Sequence, residues 1–133
     1  MIVVDTSALM AILEEEDDAA AFAEAIAEAD APLISAATLV EAGLVIFNRH
    51  GKKGASLLDD VIRDGGFRIE AVTAHQAQLA REAYALFGKG QKKAGLNYGD
   101  CFAYALAKAT GLPLLFKGND FSKTDIDVVI KAR

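Results

Sequence analysis

Ile2-Val3-Val4 runs without any polar interruption straight into Asp5, Thr6 and Ser7. A short apolar run lacking alternation reads as a strand buried on both faces, the kind that lies inside a parallel sheet covered by helices. Such a strand needs partners on either side and a helical layer above and below it. Asp5 then stands where the strand ends. In open α/β sheets the ligand crevice lies beyond the carboxyl ends of the strands. The opening residues therefore point to a fold class and place an acid at the edge where function is expected.

The rest of the chain supplies the other layers. Ser7 to about Glu16 is helical in pattern, with Leu9, Ile12 and Leu13 on one face. A five-acid run, Glu14 to Asp18, precedes an alanine-rich helix over 18–29, which Asp17 or Asp18 can cap. Pro32 ends it, and Leu33-Ile34 is a second short strand. A helix from Ser35 to about Arg49 follows, with capping-box spacing between Thr38 and Glu41. Gly51 to Gly54 reads as a turn, Ala55 to Arg63 as a helix, and Phe67 to Val72 as an alternating edge strand. Thr73 caps a helix to about Phe87. After a loop of three lysines and three glycines, Gly88 to Gly95, Asn97 starts a helix that Gly111 ends. Pro113 to Phe116 is a fourth strand, Lys117 to Phe121 a loop, and Ile126 to Ile130 a last strand. Strands alternating with helix pairs predict a parallel sheet between helical layers.

Composition narrows the class of function. The 133 residues suit one domain, 1–133, with a proper core. Cys101 stands alone, so no internal disulfide forms and a reducing cytoplasm is the expected compartment. No apolar run approaches a membrane span, and the N-terminus lacks a basic leader. Net charge is −5, yet all 14 basic residues lie from Arg49 onward. The global balance argues against nucleic-acid binding, while the distribution leaves room for one basic face.

Four acids fall at equivalent places. Asp5 follows strand one, Glu41 lies early in the helix after strand two, Asp100 opens the helix after the lysine loop, and Asp120 follows strand four. Right-handed crossovers put strand ends, and the starts of the helices after them, along one edge. Each acid also has a plainer reading: a cap for Asp5, Glu41 and Asp100, a turn for Asp120. Converging carboxylates repel unless a cation sits among them. Hard Mg²⁺ or Mn²⁺ suits such oxygens, whereas Cys101, His50 and His75 lack zinc spacing. The chemistry that follows is attack of a metal-activated water on a phosphodiester. Thr6 and Ser7 can bond a carboxylate or water behind the metal, or simply cap a helix.

Asp5-Thr6-Ser7-Ala8, Glu41, the segment 94–102 (Ala-Gly-Leu-Asn-Tyr-Gly-Asp-Cys-Phe) and the segment 115–126 (Leu-Phe-Lys-Gly-Asn-Asp-Phe-Ser-Lys-Thr-Asp-Ile) resemble the PIN domain, more narrowly the VapC-type toxins of toxin–antitoxin pairs. The resemblance spans essentially the whole chain. It implies a PIN-like α/β/α sandwich with a central five-stranded parallel sheet in the order 3-2-1-4-5. It implies a metal-dependent endoribonuclease whose Mg²⁺ or Mn²⁺ is held by Asp5, Glu41, Asp100 and Asp120. Asn119 can share the part of Asp120, and Asp125 takes a structural or outer-layer part. A homodimer and an antitoxin whose tail occludes the metal cleft are implied as partners, and structured tRNA or rRNA as substrate.

RNA has to approach over Arg81, Lys89, Lys92, Lys93 and Lys117, which flank the Asp100 and Asp120 segments. Tyr98 can stack a base or pack at its helix start. Two other readings compete. A phosphoacceptor aspartate at Asp5 lacks the neighbouring acids such sites carry, and a partner-binding module without catalysis needs no metal.

Overall fold

Described here from a computed structural model are residues 1–88, 90 and 95–130. The opening run forms β1 (Ile2–Val4), and Val3 and Val4 are wholly excluded from solvent. Next come α1 (Thr6–Leu13), α2 (Ala19–Glu28), β2 (Pro32–Ser35), α3 (Ala36–Asp64), β3 (Arg68–Glu70), α4 (Ala74–Phe87), α5 (Tyr98–Thr110) and β4 (Leu114–Leu115). All sheet pairings are parallel, in the order β3-β2-β1-β4. Val3 lies opposite both Leu33 and Leu114, so β1 is central.

The strand period of two divides the core. Val3, Leu33 and Leu114 face α4 and α5, where Tyr104, Leu106 and Phe121 pack. Ile2, Val4, Ile34 and Leu115 face the other way, onto Leu9, Phe22, Ile26 and Ile46 of α1, α2 and α3. The two-sided burial expected of the opening run is thus present on both sides. β3 is the edge strand expected, but Arg68 and Ile69 are both exposed, so its two faces are not divided as the alternation predicted.

One further expectation needs correction. Among the described residues the sheet has four strands, not five. Residues 126–130 make a single parallel bridge, Val128 to Leu114, through Leu114 N–H on Asp127 O (2.9 Å) and Val129 N–H on Leu114 O (3.1 Å). β4 is only two residues long, so it offers little edge for a fifth strand to follow. The helices expected on either side of Gly51 are both present and follow each other as α3, broken by a kink at Gly51 (φ 62°, ψ −150°) in place of a four-residue turn. Only glycine visits that conformation cheaply, and the helix resumes beyond it.

Caps set where the helices begin at the functional edge. Asp5 caps α1 by accepting from Ser7 N–H, Ser35 caps α3 through Ala37 N–H, and Thr73 caps α4 through Gln76 N–H. Asn97 and Asp100 form a reciprocal capping box on α5.

Candidate metal centre

Beyond the carboxyl ends of β1 and β4 is a cavity of about 350 Å³ that Asp5, Glu41, Asp100 and Asp120 all line. The topology brings together four side chains spread over 116 positions of sequence. Larger hollows exist, one of about 700 Å³ between α4 and α5, but its only formal charge is Arg81. Chemistry, not size, marks the site.

Asp5 is buried at the end of β1. Its Oδ2 accepts from Ser7 N–H (3.0 Å) and from Ser7 Oγ–H (2.7 Å). Ser7 Oγ in turn accepts from Lys117 N–H (2.9 Å), so one hydroxyl ties α1 to the loop after β4. The other oxygen, Asp5 Oδ1, is buried without a hydrogen-bond partner among the described residues. Leaving such an oxygen dry and unpaired is costly, which marks it as a place for a ligand.

Glu41 does not close a capping box with Thr38. Because α3 starts at Ala36 under Ser35, Glu41 sits a turn too far along for that role. Its Oε1 accepts from Thr6 Oγ–H at 2.6 Å instead. Gly99 makes room for it: a Cβ on Gly99 would stand 2.0 Å from Glu41 Oε2. A glycine in the first turn of a helix runs against propensity, and that was the signal available in the sequence.

Asp100 does cap its helix, accepting from Asn97 N–H at 3.0 Å, and it lines the cavity as well. The plain and the functional readings are both true of this residue. Asp120 is exposed at the cavity mouth and lines it, while Asn119 is absent from the lining.

Burial pushes the Asp5 carboxyl up to about 6, against the pull of the Ser7 hydrogen bonds and with a further push from the Glu41 charge. Burial pushes Asp100 up to about 7, opposed by Asn97 N–H and reinforced by the charges of Asp5 and Asp120. Among the described residues, no three His, Cys, Asp or Glu side chains stand ready-closed around an ion. Asp5, Glu41 and Asp100 each have one oxygen held by the protein. The donor set still fits a hard divalent ion: all oxygen, crowded, with the Asp5 and Asp100 carboxyls raised by burial, and with one orphaned oxygen in Asp5.

The basic residues divide. Lys89, Lys92 and Lys93 lie outside the described residues. Arg81 is exposed and lines the hollow between α4 and α5, which shares Asn97 with the acidic cavity. Lys117 lines the acidic cavity, but its Nζ is held by Glu16 and by Asp18 (3.1 Å). Asp125 stands apart, accepting from Tyr104 Oη–H and Lys108 Nζ (both 2.6 Å), a structural part. Tyr98 is 79% exposed, which leaves its ring open rather than packed in the core. Sequence reasoning missed Glu16 and Arg49, which also line the cavity. Glu16 lies in the loop after α1 and Arg49 just before the Gly51 bend of α3, places whose direction a linear pattern does not reveal.

The PIN domain family profile matches residues 2–127. The chain is a PIN domain. Ribonuclease VapC28 of Mycobacterium tuberculosis is 48% identical to this PIN domain over 132 residues, covering 98% of this chain and 99% of that one. At such identity over nearly full length, the chain belongs with the VapC branch of the PIN domains. In fold it is similar to the sarcin-ricin loop cleaving toxin VapC20 of Mycobacterium tuberculosis (TM-score 0.79, 21% identity, 98% of this chain and 100% of that one). It is also similar to VapBC2 of Rickettsia felis, solved with a promoter DNA fragment (TM-score 0.69, 19% identity, 96% of each chain). Membership decides against the phosphoacceptor alternative. Among the described residues, no helix of this PIN domain is long and apolar enough to cross a membrane.

Proposed function

We propose that this PIN domain is the toxin of a toxin–antitoxin pair and an endoribonuclease that depends on Mg²⁺ or Mn²⁺. Its substrate is a structured RNA, tRNA or rRNA, cut by water at a phosphodiester. The observation that carries this reading is the pair Asp5 and Asp100. Both are buried, both line one cavity with Glu41 and Asp120, and both are pushed toward neutrality. The names of the VapC relatives, ribonucleases and a loop-cleaving toxin, support it.

Asp5, Glu41, Asp100 and Asp120 would hold the ion. When bound, a hard divalent cation supplies positive charge against the phosphodiester and makes a nearby water more acidic. The chain's own part is orientation. Ser7 fixes Asp5 Oδ2 and leaves Oδ1 facing the task, Thr6 fixes Glu41, and the Asn97 cap fixes Asp100. Fixed carboxylates lose little freedom when the substrate arrives, which keeps reacting groups near their working geometry. A homodimer, an antitoxin partner and a cytoplasmic site of action complete the proposal. The likeness in fold to a toxin–antitoxin complex from Klebsiella pneumoniae supports the second of these.

The purified protein is expected to cleave tRNA or rRNA with Mg²⁺ or Mn²⁺ and to stop with EDTA. Cleavage at the wild-type rate by an Asp5→Asn, Asp100→Asn double variant removes the reading.

A further inference from the structure

The acidic cavity carries a difficulty for an RNA substrate, and its rim carries a means of meeting it. Five acids line the cavity, Asp5, Glu16, Glu41, Asp100 and Asp120, against two cations among the described residues, Arg49 and Lys117. A phosphodiester entering there meets repulsion that a dication offsets only in part. Donors on the wall are therefore needed, and most are committed. Ser7 gives its hydroxyl to Asp5, and Thr6 gives its own to Glu41. Lys117 Nζ is shared between Glu16 and Asp18.

Arg49 differs. Among the described residues its Nη1 alone is engaged, on Glu14 Oε1 at 2.5 Å, while Glu14 Oε2 lies 3.1 Å from His50 Nε2. Nη2 and Nε have no hydrogen-bond partner among the described residues. A guanidinium keeps its charge at every working pH and presents donors in a planar fork that matches a phosphate. Glu14 ends α1 and Arg49 lies two residues before the Gly51 bend of α3, so the ion pair fastens this fork to the rim instead of leaving it to sweep solvent.

Resting on the ribonuclease reading above, we infer that Arg49 is a substrate-positioning residue that binds an RNA backbone phosphate at the rim of the acidic cavity, held there by Glu14. The role is distinct from the four acids, because Arg49 acts on affinity and placement and not on the ion.

Binding tests it apart from cleavage. The probe is a 5′-fluorescein single-stranded RNA of 12 nucleotides and mixed sequence. Its anisotropy is read from low to moderate salt with Mg²⁺, in the full chain carrying Asp100→Asn as the common background. Arg49→Gln is expected to weaken binding about 3- to 10-fold and to flatten the log–log salt slope by about 0.7, the value of one single-strand phosphate contact. Arg49→Lys keeps the slope, since the charge remains. Glu14→Gln weakens binding less than Arg49→Gln and keeps the parent's salt slope, since the fork loses its anchor but keeps its charge. Equal slopes for Arg49→Gln and its parent overturn the inference. So does equal weakening by Arg49→Gln and Glu14→Gln, which means that the ion pair merely ties α1 to α3. A wild type that cleaves no RNA while these binding differences persist sinks the nuclease reading and leaves Arg49 as a phosphate contact.

Discussion

Asp100 shows how one side chain serves folding and chemistry together, and how the two can be separated. Its carboxylate closes a capping box yet is raised to about 7 by burial and by the neighbouring charges of Asp5 and Asp120. Asparagine keeps an oxygen for Asn97 N–H and removes the charge. Without divalent ions, Asp100→Asn is therefore expected to melt a few degrees higher than wild type at pH 8, whereas Asp100→Ala, which loses the cap, melts lower. With folded-state values above the ordinary carboxylate range, Asp5 and Asp100 bind more protons folded than unfolded between about pH 4 and 7. Their contribution is fullest below that window and is lost as pH rises through it. Melting curves from pH 4 to 8 are expected to fall less steeply for Asp100→Asn than for wild type. Gly99 offers a cleaner separation still. The three atoms nearest a methyl there all belong to the far end of Glu41, which can turn aside at the cost of its Thr6 bond, so Gly99→Ala is expected to change the melting temperature little. Cleavage falls about 10- to 100-fold, because Glu41 is pushed from its place beside Thr6.

Elements, rather than single residues, decide where Asp120 stands. β4 ends at Leu115, and the chain after it is held by Lys117 N–H on Ser7, by Phe121 in the core, and by Asp125 between Tyr104 and Lys108. Burial notwithstanding, the Lys108 and Tyr104 hydrogen bonds hold the Asp125 carboxyl below the usual carboxylate range. Tyr104→Phe removes one bond from a buried hydroxyl and is expected to cost about 1 to 2 kcal/mol, read in urea titrations. The cleavage defect is smaller than that of Asp120→Asn, since Lys117 and Phe121 still hold the loop. The Gly51 bend is the second such joint. A Cβ at Gly51 meets nothing within 4 Å, so Gly51→Ala costs only the backbone conformation, about 1 to 3 kcal/mol, read in urea titrations.

At the scale of the whole molecule, the crowding of acids along one sheet edge ties stability to any divalent ion that would be held there. A divalent ion that binds only the folded chain raises its melting temperature in proportion to its occupancy. Mn²⁺ is therefore expected to raise the melting temperature at pH 8 by several degrees and EDTA to reverse it. The rise shrinks toward pH 6, where Asp5 and Asp100 take protons and compete with the ion. Asp5→Asn loses the Mn²⁺ response while keeping the wild-type fold by circular dichroism. A Mn²⁺ response undiminished in Asp5→Asn speaks against an ion at this cavity.

What the amino-acid sequence determined alone is local or periodic. Ile2-Val3-Val4 reads as a covered strand, Asn97 with Asp100 as a helix start, and strands alternating with helices as a parallel sheet with acids along one rim. These readings hold because they depend on neighbours a few residues away. The tertiary structure decided the rest. It chose Thr6 over Thr38 as the partner of Glu41, gave Lys117 to Glu16 and Asp18, brought Arg49 to the cavity, and reduced the fifth strand to one bridge. Each of those outcomes turns on the angle and length at which an element ends, and no short-range pattern carries that, because it is set by how two cores pack on opposite faces of one sheet.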